Sequence, residues 1–263
     1  MSTRDIQQER TPIPLNSKPH IGPVKVLMAT YVWSVIPLLT IFFGSLTVLL
    51  APVAILIDKR RDMLHSIATL WAKSICWANP WWTFVIKGAE NLPSAGTPVV
   101  YVSNHQSQAD ILTVFLVSRQ FRWLAKDALF KIPFLGWAMS AAGYVPVKRG
   151  DKRSHAECFR MAREHLARGT SMLFFPEGTR SRDGQLLPFK SGAFKLAKEC
   201  DVPILPITLE GASNLLPKGS FAPAVATVTI TIHPMISSKG NSEHELSELA
   251  KTVIASALCG SST

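Results

Sequence analysis

Hydrophobic and polar positions divide this chain into three textures. Residues 1–23, "MSTRDIQQERTPIPLNSKPHIGP", are polar, proline-rich and mixed in charge. Such a stretch reads as a flexible tail, and its acidic residues argue against an organelle transit peptide. Val24 to Ile57 is apolar apart from Lys25. At 1.5 Å per residue this segment could form a helix of about 50 Å, more than the roughly 30 Å hydrocarbon core, and it is too long for a signal-peptide core. Pro37 and Gly44 are expected to break it into two helices that enter and leave one leaflet; a tilted or kinked single span and a buried soluble helix pair are the alternatives. "DKRRD" at 58–62 halts the segment. Basic residues on both sides, Arg10, Lys18 and Lys25 before and Lys59, Arg60 and Arg61 after, favour both ends being cytoplasmic.

The next stretch, "LHSIATLWAKSICWANPWW", reads as a tryptophan-rich amphipathic connector suited to a membrane interface. Beyond Thr83 the pattern changes to short apolar runs separated by helical stretches. Strands are predicted at "TFVIKG", "PVVYVS", "FRWLA", "GYVPVK", "SMLFF", "ILPITL" and "VATVTITI", and helices starting near Ala109, Pro133, Ser154, Gly192 and Ser242. Strands alternating with helices imply an α/β fold, a largely parallel sheet covered by helices on both faces. The expected organisation is a tail over 1–23, an anchoring helical segment and connector over 24–82, and a catalytic α/β domain over 83–263.

Composition adds a partner. The formal net charge is +10, which points to an anionic ligand or surface. Zinc-finger spacing and basic runs interleaved with stacking aromatics are absent from the sequence, so lipid headgroups are favoured over nucleic acid. Cys76, Cys158, Cys200 and Cys259 are scattered without a C-x-x-C pair and suit a reducing compartment. The sequence has no dinucleotide-binding, P-loop or serine-hydrolase glycine motif.

Two motifs follow predicted strands, where ligands gather in parallel sheets. In "NHQSQAD" (104–110), His105 and Asp110 stand five positions apart, a spacing that separates them by about 140° on a helix. They can meet if His105 lies in a turn and Asp110 in the first turn of the following helix, with Ser107 as N-cap and Asp110 reaching back as in a capping box. The plain alternative is a capping aspartate beside a polar loop histidine. In "FFPEGTRSRDG" (174–184), Arg180 can bind phosphate through two charge-assisted hydrogen bonds, and Gly178 permits close backbone approach. An ordinary charged surface turn would carry the same residue types.

Together, "NHQSQAD" and "FPEGTRS" resemble the N-H-x-x-x-x-D and F-P-E-G-T-R-S blocks of the glycerolipid acyltransferase family. "KDALFKIPFLGWAMSAAG" (126–143), "GYVPVKR" (143–149) and "VPILPIT" (202–208) resemble its lesser blocks; Pro146 departs from the bulky apolar residue often found there. The resemblance covers about residues 85–235 and is greatest to the family's bacterial 1-acyl-sn-glycerol-3-phosphate acyltransferases.

That resemblance implies acyl transfer from acyl-CoA or acyl-acyl-carrier protein to the 2-hydroxyl of lysophosphatidic acid. His105 would be the general base, Asp110 would hold its tautomer, and no covalent acyl-enzyme is required. Ser107 would cap the helix rather than act as nucleophile. Glu177, Gly178, Thr179 and Arg180 are assigned to the acceptor site, with Lys126 and Arg149 as secondary phosphate ligands. The oxyanion donors are expected among backbone amides near the helix start. Neither a metal nor a further cofactor is expected, the other six histidines are unassigned, and the implied setting is a bacterial inner membrane with the catalytic domain facing the cytoplasm. The runner-up reading is an acyltransferase for another lysophospholipid, glycerol-3-phosphate or a lyso-ornithine lipid. A hydrolase and a non-catalytic membrane-binding protein stand further off.

Overall fold

The computed structural model describes residues 22–148, 150–181, 184–216 and 223–259. The expected tail over 1–23 therefore falls almost wholly outside the described residues, as does Arg149.

All seven predicted strands form: β1 (Trp82–Lys87), β2 (Val100–Ser103), β3 (Phe121–Lys126), β4 (Val145–Val147), β5 (Ser171–Phe174), β6 (Ile204–Glu210) and β7 (Ala226–Ile232). They make one sheet in the order β1-β7-β6-β2-β5-β3-β4, parallel at every pairing except β6 with β7. Strands β6, β2, β5, β3 and β4 thus share a direction, and their C-terminal ends lie along one end of the sheet. β4 is the outer strand, which accommodates Pro146 because an edge position can spare a ladder donor.

The helices are α1 (Pro23–Ile57), α2 (Asp62–Trp77), α3 (Asp110–Phe115), α4 (Leu135–Ala141), α5 (Lys152–Ala167), α6 (Gly192–Glu199), α7 (Ala212–Leu215) and α8 (Glu243–Cys259). Alternation along the strands assigns the two faces. Val100, Val102, Met172 and Ile204 pack under α5, α6 and α8, whereas Tyr101, Leu173, Leu205 and Ile207 pack on the opposite face with α1 to α4 and α7. β2 is buried at every position, as a central parallel strand covered on both sides must be. Full burial of each such valine is worth about 1.5–3 kcal/mol.

The apolar segment differs from its expected form. Pro37 and Gly44 do not split it, and α1 runs unbroken over 35 residues with Pro37 and Pro52 inside. The antiparallel hairpin is instead α1 with α2, the stretch read as a connector. Tyr31 donates to Ala78 O at 2.8 Å, and Trp71 Nε1 donates to Thr40 Oγ1 at 3.1 Å. Gly44 is spent on packing: a Cβ there would lie 2.9 Å from Phe134 O, so the missing side chain lets α4 close on α1.

A buried polar set fastens this hairpin to the sheet. Arg122, fully enclosed on β3, donates to the carbonyl of Phe121 at 2.8 Å and to that of Arg60 in the α1–α2 turn. His65 on α2 is held between Arg119 O, which accepts from Nε2 at 3.1 Å, and Tyr144 OH, which donates to Nδ1 at 3.0 Å. α1 is also long and apolar enough to cross a membrane, and it leaves Leu27, Leu38, Phe42, Leu49, Leu56 and Ile57 exposed.

Candidate active site

Two loops leave neighbouring parallel strands at the same end of the sheet, and their contact builds the site. β2 ends at Ser103 and continues into Asn104. The Asn104 side chain donates from Nδ2 to Leu209 O and accepts from Leu209 N at Oδ1, both at 2.8 Å. It thereby extends the β2–β6 pairing through a side chain, and the main chain turns immediately afterwards to present His105.

His105 and Asp110 meet as the spacing required. Asp110 opens α3, is wholly buried, and accepts at Oδ2 from His105 Nδ1 (2.7 Å), Gln106 N (2.7 Å) and Ser107 N (2.8 Å). Three donors offset much of the cost of burying a carboxylate. The capping box is half formed: Asp110 receives the Ser107 amide, but the Ser107 hydroxyl accepts from Ala109 N at 3.2 Å, and Ala109 is the N-cap. With Nδ1 engaged by Asp110, His105 offers Nε2 to the cavity. Phe175 stacks on the imidazole with ring centroids 4.3 Å apart and fixes its plane.

The second loop begins at Phe175. Gly178 N donates to Phe175 O at 3.0 Å, closing a β-turn with Pro176 and Gly178 where such turns favour them; Gly178 has φ +67°. Glu177 points inward. Its Oε1 accepts from His105 N at 2.8 Å and its Oε2 from Leu187 N at 3.2 Å, and burial pushes its carboxyl above the ordinary range. Ser181 N in turn donates to His105 O at 2.8 Å. Glu177, expected at the acceptor, is thus the brace between the loops, while Thr179 and Arg180 are exposed at the surface of the turn.

These groups border one cavity of about 910 Å³. Its lining includes the exposed Thr179, Arg180, Lys126 and Lys190, the half-buried His105 and Gly178, and buried or half-buried apolar groups including Phe43, Ala68, Trp71, Phe115, Leu135 and Met139. Lys126 stands there because β3 ends on the same side of the sheet. Among the described residues neither Arg180, Lys126 nor Lys190 has a carboxylate partner, and no cluster of three His, Cys, Asp or Glu side chains could hold a metal ion.

Of the backbone amides near the helix start, those of Gln106 and Ser107 donate to Asp110, and that of His105 donates to Glu177. Sequence reasoning also passed over Asn104, Phe175 and Lys190. Asn104 and Phe175 adjoin the two motifs and offered a positional signal. Lys190 offered none, because it reaches the cavity only through the return of its loop, where Lys190 N donates to Pro176 O at 2.9 Å.

Comparison with known proteins finds acyltransferases. The family model described as Acyltransferase matches residues 83–210. A chloroplastic 1-acyl-sn-glycerol-3-phosphate acyltransferase of Brassica napus is 48% identical over 170 residues, 64% of this chain and 49% of that protein. A 1-acyl-sn-glycerol-3-phosphate acyltransferase of Chlamydomonas reinhardtii is 38% identical over 230 residues, 87% of this chain and 68% of that one. The match to the Brassica enzyme thus spans about half of that enzyme's length. The crystal structure of the 1-acyl-sn-glycerophosphate acyltransferase PlsC from Thermotoga maritima superposes with a TM-score of 0.76 at 27% identity, covering 89% of this chain and 94% of that one. With a chloroplastic protein among these relatives, the similarity does not select the expected bacterial inner membrane.

Proposed function

Because the chain belongs to the acyltransferase family, we propose that it transfers a fatty acyl group from an acyl thioester to the 2-hydroxyl of 1-acyl-sn-glycerol-3-phosphate, forming phosphatidic acid. The observation that carries this reading is the 2.7 Å contact of His105 Nδ1 with Asp110 Oδ2 beside a cavity that His105 and Arg180 both line. His105 Nε2 takes the proton of the acceptor hydroxyl as its oxygen attacks the thioester carbonyl. Asp110 keeps the proton on Nδ1 and stabilises the imidazolium that forms. Collapse of the tetrahedral intermediate breaks the C–S bond, and the imidazolium returns the proton to the departing thiolate. The acceptor hydroxyl fills the place of a nucleophilic serine, so no acyl-enzyme is needed.

Arg180 binds the acceptor phosphate, with Lys126 as a second cation, and Gly178 and Thr179 shape the turn that presents them. Arg149 retains its proposed secondary role on the strength of the sequence alone. The apolar depth of the cavity suits an acyl chain. The donor is acyl-CoA or acyl-acyl-carrier protein, both anionic and both matched by the positive net charge. The exposed apolar side of α1 holds the domain against a phospholipid surface, with the basic α1–α2 turn near the headgroups. Another acceptor, such as a different lysophospholipid, glycerol-3-phosphate or a lyso-ornithine lipid, would use the same dyad; cations without carboxylate partners in the cavity lining favour one that bears phosphate.

The test is transfer by the detergent-purified protein from a labelled acyl thioester to a panel of acceptors. Preferential product from 1-acyl-sn-glycerol-3-phosphate supports the assignment, and preference for a phosphate-free acceptor would overturn it.

A further inference from the structure

Lys190 belongs to neither motif, yet its loop carries it back over the Glu-Gly-Thr-Arg turn. That loop is tied down three times: Leu187 N to Glu177 Oε2, Lys190 N to Pro176 O, and Gln106 Nε2 to Gly184 O at 3.1 Å. The return brings the Lys190 side chain across Gly178. A Cβ on Gly178 would lie 2.6 Å from Lys190 Nζ, 3.0 Å from Cε and 3.3 Å from Cδ. The space left by the absent side chain at 178 is therefore the space this lysine occupies. Its side chain borders the cavity shared with His105 and Arg180, and it has no carboxylate partner among the described residues.

We propose that Lys190 is a specificity-determining phosphate ligand that, with Arg180, selects a phosphomonoester dianion over a phosphodiester monoanion, an inference that rests on the phosphate-bearing acceptor proposed above. A phosphomonoester has a second ionisation near pH 6 and carries close to two negative charges at neutral pH. Arg180 can supply one planar, bidentate contact; Lys190 adds a point charge with rotatable donors. A phosphodiester lipid carries a single charge and has one more oxygen esterified, so the Lys190 ammonium stabilises it less. A side chain at position 178 would make the ammonium shift from this place.

The experiment measures KM and kcat for 1-acyl-sn-glycerol-3-phosphate, and the inhibition constant of 1-acyl-sn-glycero-3-phosphoglycerol, for the full chain and for Lys190→Gln and Lys190→Arg in detergent micelles. For Lys190→Gln, KM is expected to rise about tenfold, with kcat and the phosphodiester inhibition constant each within about twofold; Lys190→Arg restores KM to within about threefold. The KM of the wild-type chain is also expected to fall as pH rises through the second phosphate ionisation, and to fall less in Lys190→Gln. An unchanged KM, or equal weakening of both lipids, overturns the inference while leaving the acyltransferase reading intact. If the wild-type chain forms no phosphatidic acid, the acceptor reading fails and this inference fails with it.

Discussion

Glu177 Oε1 accepts the backbone N–H of His105 at 2.8 Å, so the loop after β5 holds the residue that carries the imidazole after β2. The same carboxylate takes Leu187 N through its other oxygen. Replacing Glu177 with alanine leaves two amides without their acceptor, at a cost of about 1–3 kcal/mol each where they are buried. Glu177→Ala is expected to lower kcat by at least about tenfold through loss of His105 alignment, with a smaller change in acceptor KM. Steady-state kinetics on the purified variant checks this. A change confined to KM would return Glu177 to the acceptor site.

Asn104 exchanges a donor and an acceptor with Leu209 in a fully buried position. Asn104→Ala is expected to cost about 2–4 kcal/mol, because both Leu209 groups lose their partner. Asn104→Asp keeps the acceptor for Leu209 N but not the donor for Leu209 O, and adds a charge. Chemical denaturation should place both variants well below wild type, and a shift under about 0.5 kcal/mol for Asn104→Ala would contradict the pairing argument.

Two histidines, His65 buried and His165 half-buried, are expected to make stability depend on pH. Burial, then Arg122, lowers His165 to about 4 and holds His65 well below its ordinary value. A folded-state pKa depressed below the unfolded value of about 6.5 means that the unfolded chain binds more protons below pH 6.5. The stability these neutral rings contribute is present above pH 6.5 and is lost as pH falls towards 4. Tm in detergent should therefore decline between about pH 6.5 and 5, and decline less in His165→Gln. Parallel Tm curves for the two proteins would contradict the linkage.

Gly44 sets the distance between α1 and α4 and borders the cavity. Gly44→Leu is expected to lower Tm by forcing α4 outwards, and to shift donor preference towards shorter acyl chains by narrowing the apolar depth. Competition between long-chain and medium-chain thioesters gives the ratio; an unchanged ratio together with an unchanged Tm would refute both effects.

The sheet was legible because β-branched and aromatic runs alternate with helical stretches, and each predicted strand formed. The backward reach of Asp110 was legible as well, because it is a local consequence of where α3 starts. Glu177 was not, since its partner lies 72 residues away and only the neighbouring placement of β2 and β5 brings them together. Pro37 suggested a break, but packing of α1 on α2 and α4 carries the helix through it. The inward turn of Glu177 and the return of Lys190 over Gly178 are tertiary facts, invisible to spacing.

The proposed reaction depends most directly on the His105 imidazole, so the decisive measurement is turnover by a folded variant that lacks it. With folding verified by circular dichroism, His105→Ala should convert 1-acyl-sn-glycerol-3-phosphate and a labelled acyl thioester about 10²–10⁴-fold more slowly than wild type. Turnover within about threefold of wild type in that folded variant would contradict the assignment of His105 as the base.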